Sequence, residues 1–236
     1  MAGTPASERF EIAVGSASVE RVAAILDEPA GERRESAILF AHGAGVDIEH
    51  PWMSAMAAAL VRRGFAVMRF RYVYMERAAR ESKPIPPDRA PALEDAHFAA
   101  LEEFARRTNA RRRILAGKSL GARISTHLAA KSAAAHGLAL FGYPLHPPRA
   151  PEKERSEHFA TIVQPALFLQ GTRDEFGTPD ELRHALSRFA GRATLSIVEG
   201  GDHSFELPAS AHRPLSATLE ELAARVDAWE RETWPA

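Results

Sequence analysis

The chain has 236 residues, 45% hydrophobic and 26% charged, with 30 basic against 31 acidic residues and a net charge of −1. This usage excludes a disordered or fibrous class, and the near-neutral balance leaves no electrostatic footprint for nucleic acid or an anionic membrane, so a small-molecule partner is expected. There is no cysteine, which removes disulfides, thiolate nucleophiles and cysteine metal sites; any nucleophile must carry oxygen or nitrogen.

The opening MAGTPASERF lacks an apolar core of signal-peptide length, and no apolar run reaches the roughly 18 residues of a membrane span, so the expected location is the cytoplasm. Length and the lack of low-complexity stretches point to a single domain over residues 1–236.

RFEIAV (residues 9–14) and ERVAAILDEP (20–29) read as two edge strands of a hairpin. SAILFAH, Ser36 to His42, is a continuous apolar run of the kind buried on both faces of a parallel sheet. Pro51 to Arg63 has helical spacing and Gly64 as its stop. FAVMRFRY is the next strand; residues 75–91, with four prolines and many charges, read mostly as exposed loop. A helix follows from Pro91 to Arg107, with Ala92, Ala96, Ala99, Ala100 and Phe104 on one side. RRILAG is a strand, Leu120 to Ala135 a helix and GLALFGY a strand. PLHPPRAPEKERSEHF is a proline-rich excursion too short for a lid domain. PALFLQG is a strand, TPDELRHALSRFA a helix with Thr178 as N-cap, ATLSIVEG a strand, and Leu215 to Arg231 a closing helix. Strands alternating with helices predict an α/β fold: a mostly parallel twisted sheet with helices on both faces.

In such sheets ligands bind beyond the carboxyl ends of the strands. The loops there read HGAG, GKSLG, GTRDEFG and GGDHSF. Ser119 lies between strand and helix with a glycine two positions either side, the pattern of a nucleophile elbow. A serine hydroxyl needs a base and an orienting carboxylate. His203 and Asp174 sit in the last two of these loops, in the order Ser119, Asp174, His203. Glu175 and Asp202 are alternatives to Asp174, although Asp202 reads better as a turn former. His127, His136, His184 and His212 lie on or near helices and read as solvated.

The Leu120 and Ala44 N–H groups, with Gly45 as an alternative, are candidate oxyanion donors. His42 is expected against the oxyanion loop and among the substrate-binding residues, with Tyr72, Tyr143 and His146 at the entrance of a substrate groove. Lys118 reads as a structural neighbour in an ion pair, with a tuner of the site as the alternative, and Met53, Met56 and Met68 as core filler.

On HGAG, RYVYME, GKSLGAR, GYPLHPP, QGTRDEFGTP and GGDHSF, from about Ser36 to the C-terminus, the chain resembles an α/β-hydrolase of the compact group related to dienelactone hydrolases. The resemblance implies a Ser119, Asp174, His203 triad with a hydrolase-type sheet; no cofactor or metal is indicated. Dienelactone hydrolases proper use a cysteine nucleophile, which this chain lacks, so their lactone substrate is not carried over. Some relatives are described as components of a chromatin-modifying complex. The expected function is therefore a serine hydrolase of small esters or thioesters acting through an acyl-enzyme, the alternative a non-catalytic binding or scaffold protein, with oligomeric state open.

Overall fold

A computed structural model describes residues 6–16, 18–131 and 134–235. Eight strands form one sheet: β1 (Ala6–Ala13), β2 (Arg21–Glu28), β3 (Ser36–Ala41), β4 (Ala66–Phe70), β5 (Arg112–Lys118), β6 (Gly137–Phe141), β7 (Ala166–Gly171) and β8 (Ala193–Val198), in the spatial order β1-β2-β4-β3-β5-β6-β7-β8. β1 pairs antiparallel with β2, and β2 antiparallel with β4; the pairs from β4 through β8 are parallel. The fold is thus α/β with a mostly parallel sheet, as the alternation of elements predicts. The hairpin of the first two strands forms, but only β1 is an edge, because β2 also pairs with β4.

Six helices cover the sheet: α1 (Pro51–Val61), α2 (Val73–Glu81), α3 (Ala90–Thr108), α4 (Leu120–Ala130), α5 (Pro179–Leu186) and α6 (Leu215–Thr233). Successive strand side chains point to opposite faces, and β3 divides accordingly. Ala37, Leu39 and Ala41 join a core with residues of α3, α4 and α5, while Ile38 and Phe40 join one with α1 and α6. Met53 and Met56 are buried in the second core and Met68 in the first, as core filler should be.

Three expectations need correction. Residues 75–81, expected as loop, belong to the helix Val73–Glu81: the prolines begin only at Pro84, and Val73, Tyr74 and Glu76 supply a buried face. α4 ends at Ala130, since His136 already exchanges hydrogen bonds with Arg113 ahead of β6 and the chain must have turned back by then. Ser132 and Ala133, inside the predicted span, lie outside the described residues, as do residues 1–5 of the opening stretch. On α3 the inward face carries Leu93, Ala96, His97, Ala100 and Phe104; Ala92 is exposed. Thr178 does cap α5, in a reciprocal capping box with Glu181.

Candidate active site

Ser119 ends β5 and begins α4 with φ 52° and ψ −112°, a strained conformation for a residue with a side chain. The flanking glycines show why the corner closes. A Cβ on Gly117 would lie 2.2 Å from the Gly121 carbonyl carbon, and one on Gly121 would lie 2.3 Å from the Ala41 carbonyl oxygen. Neither glycine is needed for a positive φ; both are needed so that α4 can touch β5 and the end of β3. A serine at an N-cap ordinarily bonds the exposed helix N–H groups, but the Ser119 hydroxyl makes no such bond.

It meets His203 instead. Ser119 Oγ lies 2.9 Å from His203 Nε2, and His203 Nδ1 lies 2.8 Å from Asp174 Oδ2 and 3.0 Å from Oδ1. Asp174 is buried. Its carboxylate accepts from the side-chain amide of Gln170 at 2.9 Å and from the Phe176 N–H at 2.9 Å, so its orientation is held from two sides. The Phe176 ring covers the imidazole, with centroids 4.3 Å apart. Gly142, at φ +60°, leaves room beside the pair: a Cβ there would sit 3.4 Å from both Asp174 Oδ2 and His203 Nδ1.

The loop carrying His203 is tied down from below. Lys118, buried beneath the elbow, donates from Nζ to the His203 carbonyl at 3.0 Å, and the Trp52 indole donates to the Ser204 carbonyl at 3.0 Å. Burial lowers the Lys118 ammonium to about 8, against the upward pull of the Asp174 and Asp202 carboxylates. The expected ion pair of Lys118 is therefore a hydrogen bond to main chain. Asp202 is a turn former, its Oδ1 accepting from the N–H groups of Ser204 and Glu206. Glu175 is exposed.

Residues 34–231 match the description of an alpha/beta hydrolase domain. The chain belongs to this family. Solved structures share the fold at low identity. A serine hydrolase homologue from Coxiella burnetii superposes with a TM-score of 0.71 at 19% identity, over 92% of this chain and 96% of its own. A dienelactone hydrolase from Anabaena variabilis gives 0.70 at 20%, over 93% and 96%. A Xanthomonas campestris protein described as a serine hydrolase without lid gives 0.70 at 20%, over 98% and 96%. Family membership supports hydrolase activity and a small-molecule substrate.

In this alpha/beta hydrolase the HGAG loop lies against the elbow, since a Cβ on Gly43 would be 3.6 Å from Ser119 Cβ. Ala44 and Gly45 are exposed, and the Ala44 and Gly43 carbonyls accept from the Tyr74 hydroxyl at 3.1 and 3.3 Å. The Leu120 N–H, at the first position of α4, has no acceptor within its helix. His42 is fully buried: Nδ1–H donates to the Gly43 carbonyl at 2.7 Å and Nε2 accepts the Tyr72 N–H at 3.1 Å. Both ring nitrogens are used by main chain, and burial pushes the imidazole down to about 4. It shapes the loop as a neutral ring and presents nothing to a substrate.

The expectation that Tyr72, Tyr143 and His146 line an entrance is likewise corrected. Tyr72 and Tyr143 are fully buried, their hydroxyls bound to His97 Nδ1 at 3.1 Å and to the Arg155 carbonyl at 2.8 Å. His146 is buried, with Nδ1 donating to the Pro147 carbonyl at 2.8 Å. Polar aromatics at the ends of strands carry apolar bodies, and the segments that follow fold over them. Of the remaining histidines, His127 pairs with Glu94 at 2.7 Å and His136 accepts the Arg113 N–H; His184 and His212 are exposed.

Sequence reasoning missed Gln170, Phe176 and Trp52. Gln170 alone leaves a sequence signal, a lone amide closing the apolar strand ALFLQG. A cleft lined by Arg34, Arg63, Arg112, Glu230 and Trp234 opens at the amino ends of the strands, away from Ser119. Its arginines are paired with Asp227, Glu230, Glu220 and Glu35, which makes it a structural ion-pair network. Among the described residues no helix is long and apolar enough to cross a membrane.

Proposed function

We propose that this alpha/beta hydrolase, taken as one domain over residues 1–236, cleaves a small ester or thioester through an acyl-enzyme. The observation that carries the reading is the unbroken hydroxyl–imidazole–carboxylate chain, 2.9 Å from Ser119 to His203 and 2.8 Å from His203 to Asp174. Ser119 Oγ attacks the carbonyl carbon while His203 Nε2 takes its proton. Asp174 holds the other ring nitrogen as N–H and offsets the charge of the imidazolium. The carbonyl oxygen, negative in the tetrahedral intermediate, is stabilised by the N–H of Leu120 and that of Ala44, with Gly45 the alternative donor. The intermediate collapses as His203 gives the proton to the departing alkoxide or thiolate. Water then repeats the sequence on the acyl-serine, with His203 again as base and then acid. The short segment between β6 and β7 favours small acyl groups over long lipid chains.

A fluorophosphonate probe tests this. One adduct is expected at Ser119, abolished in Ser119→Ala, with turnover of p-nitrophenyl acetate falling by a factor on the order of 10^4 or more. If the folded wild type neither labels nor hydrolyses short esters, the binding or scaffold role replaces this reading.

A further inference from the structure

Arg123 stands one turn beyond Ser119 on α4, its N–H donating to the Ser119 carbonyl at 3.1 Å. Side chains four apart share a helix face and lean toward the amino end, here toward the elbow. Arg155 lies in the segment after β6, where its N–H donates to the Leu145 carbonyl at 2.8 Å and its carbonyl accepts the Tyr143 hydroxyl. Tyr143 follows Gly142, the residue packed against Asp174 and His203. Both arginines therefore sit at the carboxyl end of the sheet, on the side of the reactive serine.

Both are half-buried. Among the described residues, neither guanidinium has a hydrogen-bond acceptor or a carboxylate within ion-pair distance, and Arg123 Nε is buried without a partner. Nε of Arg69 and of Arg77 also lacks a partner, but every other buried or half-buried arginine has at least one acceptor for its guanidinium. Arg33, Arg34, Arg63, Arg69, Arg71, Arg77, Arg112 and Arg225 meet carboxylates, and Arg113 a main-chain carbonyl. The charges of the two exceptions reach each other: Arg155 is lowered first by burial and next by the charge of Arg123, which also acts on Tyr143, whose hydroxyl binds the Arg155 carbonyl at 2.8 Å. Placing two like charges together in a partly desolvated site is unfavourable unless an anion completes them, and guanidinium forks match carboxylate and phosphate oxygens.

We infer that Arg123 and Arg155 bind an oxyanion group carried by the substrate, a carboxylate or a phosphate, so that acidic esters are preferred over neutral ones. This rests on the serine hydrolase reading and adds the substrate class to it.

The test measures kcat/KM for p-nitrophenyl hydrogen glutarate, for a phosphate-terminated p-nitrophenyl ester of similar length, and for neutral p-nitrophenyl valerate. The proteins are the wild type, Arg123→Gln, Arg155→Gln and, as a control, Arg183→Gln, an exposed residue paired with Asp180 on α5. The wild type should prefer at least one acidic ester by about tenfold or more, and whichever it prefers identifies the group. Each arginine variant should lose about tenfold of that ratio, mainly through KM, and the control none. Arg123→Gln and Arg155→Gln should also unfold at the same or a higher temperature, because an unpaired charge has been removed; a structural role would lower it.

A wild-type ratio near one overturns the inference while leaving the hydrolase reading intact, as does a variant that loses stability but keeps the ratio. Should no ester turn over and Ser119 stay unlabelled, the hydrolase reading fails separately. Calorimetric titration with glutarate and inorganic phosphate then decides: binding lost in Arg123→Gln supports the site, and no binding to the wild type overturns it.

Discussion

Lys118→Met separates what the site needs from what the fold prefers. The ammonium is buried over the Trp52 ring, 5.1 Å from its centroid, faces the carboxylates of Asp174 and Asp202, and has the His203 carbonyl as its hydrogen-bond acceptor. Its drop from 10.5 to about 8 corresponds to about 3 kcal/mol of destabilisation at neutral pH, at about 1.4 kcal/mol per decade. Methionine fills similar volume without charge but leaves the carbonyl without its donor, a loss of about 1 kcal/mol. The variant should therefore be more stable than the wild type at pH 7 by about 1–2 kcal/mol.

The sign with pH follows from proton linkage. The folded-state value lies below the unfolded one, so between about 8 and 10.5 the unfolded chain holds more protons and the wild type gains stability as pH rises. The variant lacks that gain, and its advantage should vanish or reverse by pH 10.5. Urea denaturation of both proteins at pH 7 and pH 10, taken as a difference, cancels the other titrating groups. The fluorophosphonate labelling rate should meanwhile fall by about 10- to 100-fold, since the His203 loop loses its anchor and small misplacements at a reacting centre are costly. A variant less stable at pH 7, or a stability difference flat with pH, would refute the account of a desolvated cation.

Gly121→Ala should cost about 3 kcal/mol or more, because its Cβ would meet the Ala41 carbonyl at 2.3 Å and only a shift of α4 relieves that overlap. Denaturant titration checks it beside Gly31→Ala, where nothing lies within 4 Å and a change under about 0.5 kcal/mol is expected; a mild effect at Gly121 would sink the close-packing explanation of the elbow. Asp174→Asn should lower kcat by about 10^3- to 10^4-fold with the fold retained, read from ester turnover and circular dichroism. Unchanged turnover would remove Asp174 from the proposed mechanism.

What could be read ahead of the structure was set by how each segment is solvated. β3, β5, β6 and β7 are almost wholly buried, so their sequences are continuous apolar runs, and the loops at their carboxyl ends stand out by glycine. Ser119 and Asp174 were legible because each follows such a strand, and His203 because the half-buried β8 ends in the glycines of GGDHSF. α2 was not, because the prolines from Pro84 onward, which lie beyond its end, dominate the composition of the stretch that contains it. Tyr72 and Tyr143 misled for another reason. A tyrosine at a strand end looks the same whether its hydroxyl faces a ligand or, as here, His97 or a main-chain carbonyl.

Charge pairing is the least local property, and it sets Arg123 and Arg155 apart from the arginines at both ends of the sheet, Arg71 with Asp47 at the carboxyl end among them. At the amino ends, buried Glu230 meets Arg34 and Arg112 and accepts from the Ser36 hydroxyl, so those charges serve the fold. At the carboxyl ends Lys118 has a main-chain carbonyl as its acceptor, and Arg123 and Arg155 have none. Stability alone would favour apolar residues at all three positions. Unpaired charge that persists beside one serine, in a protein that pairs its other buried arginines, is the pattern expected where folding energy has been given up for binding.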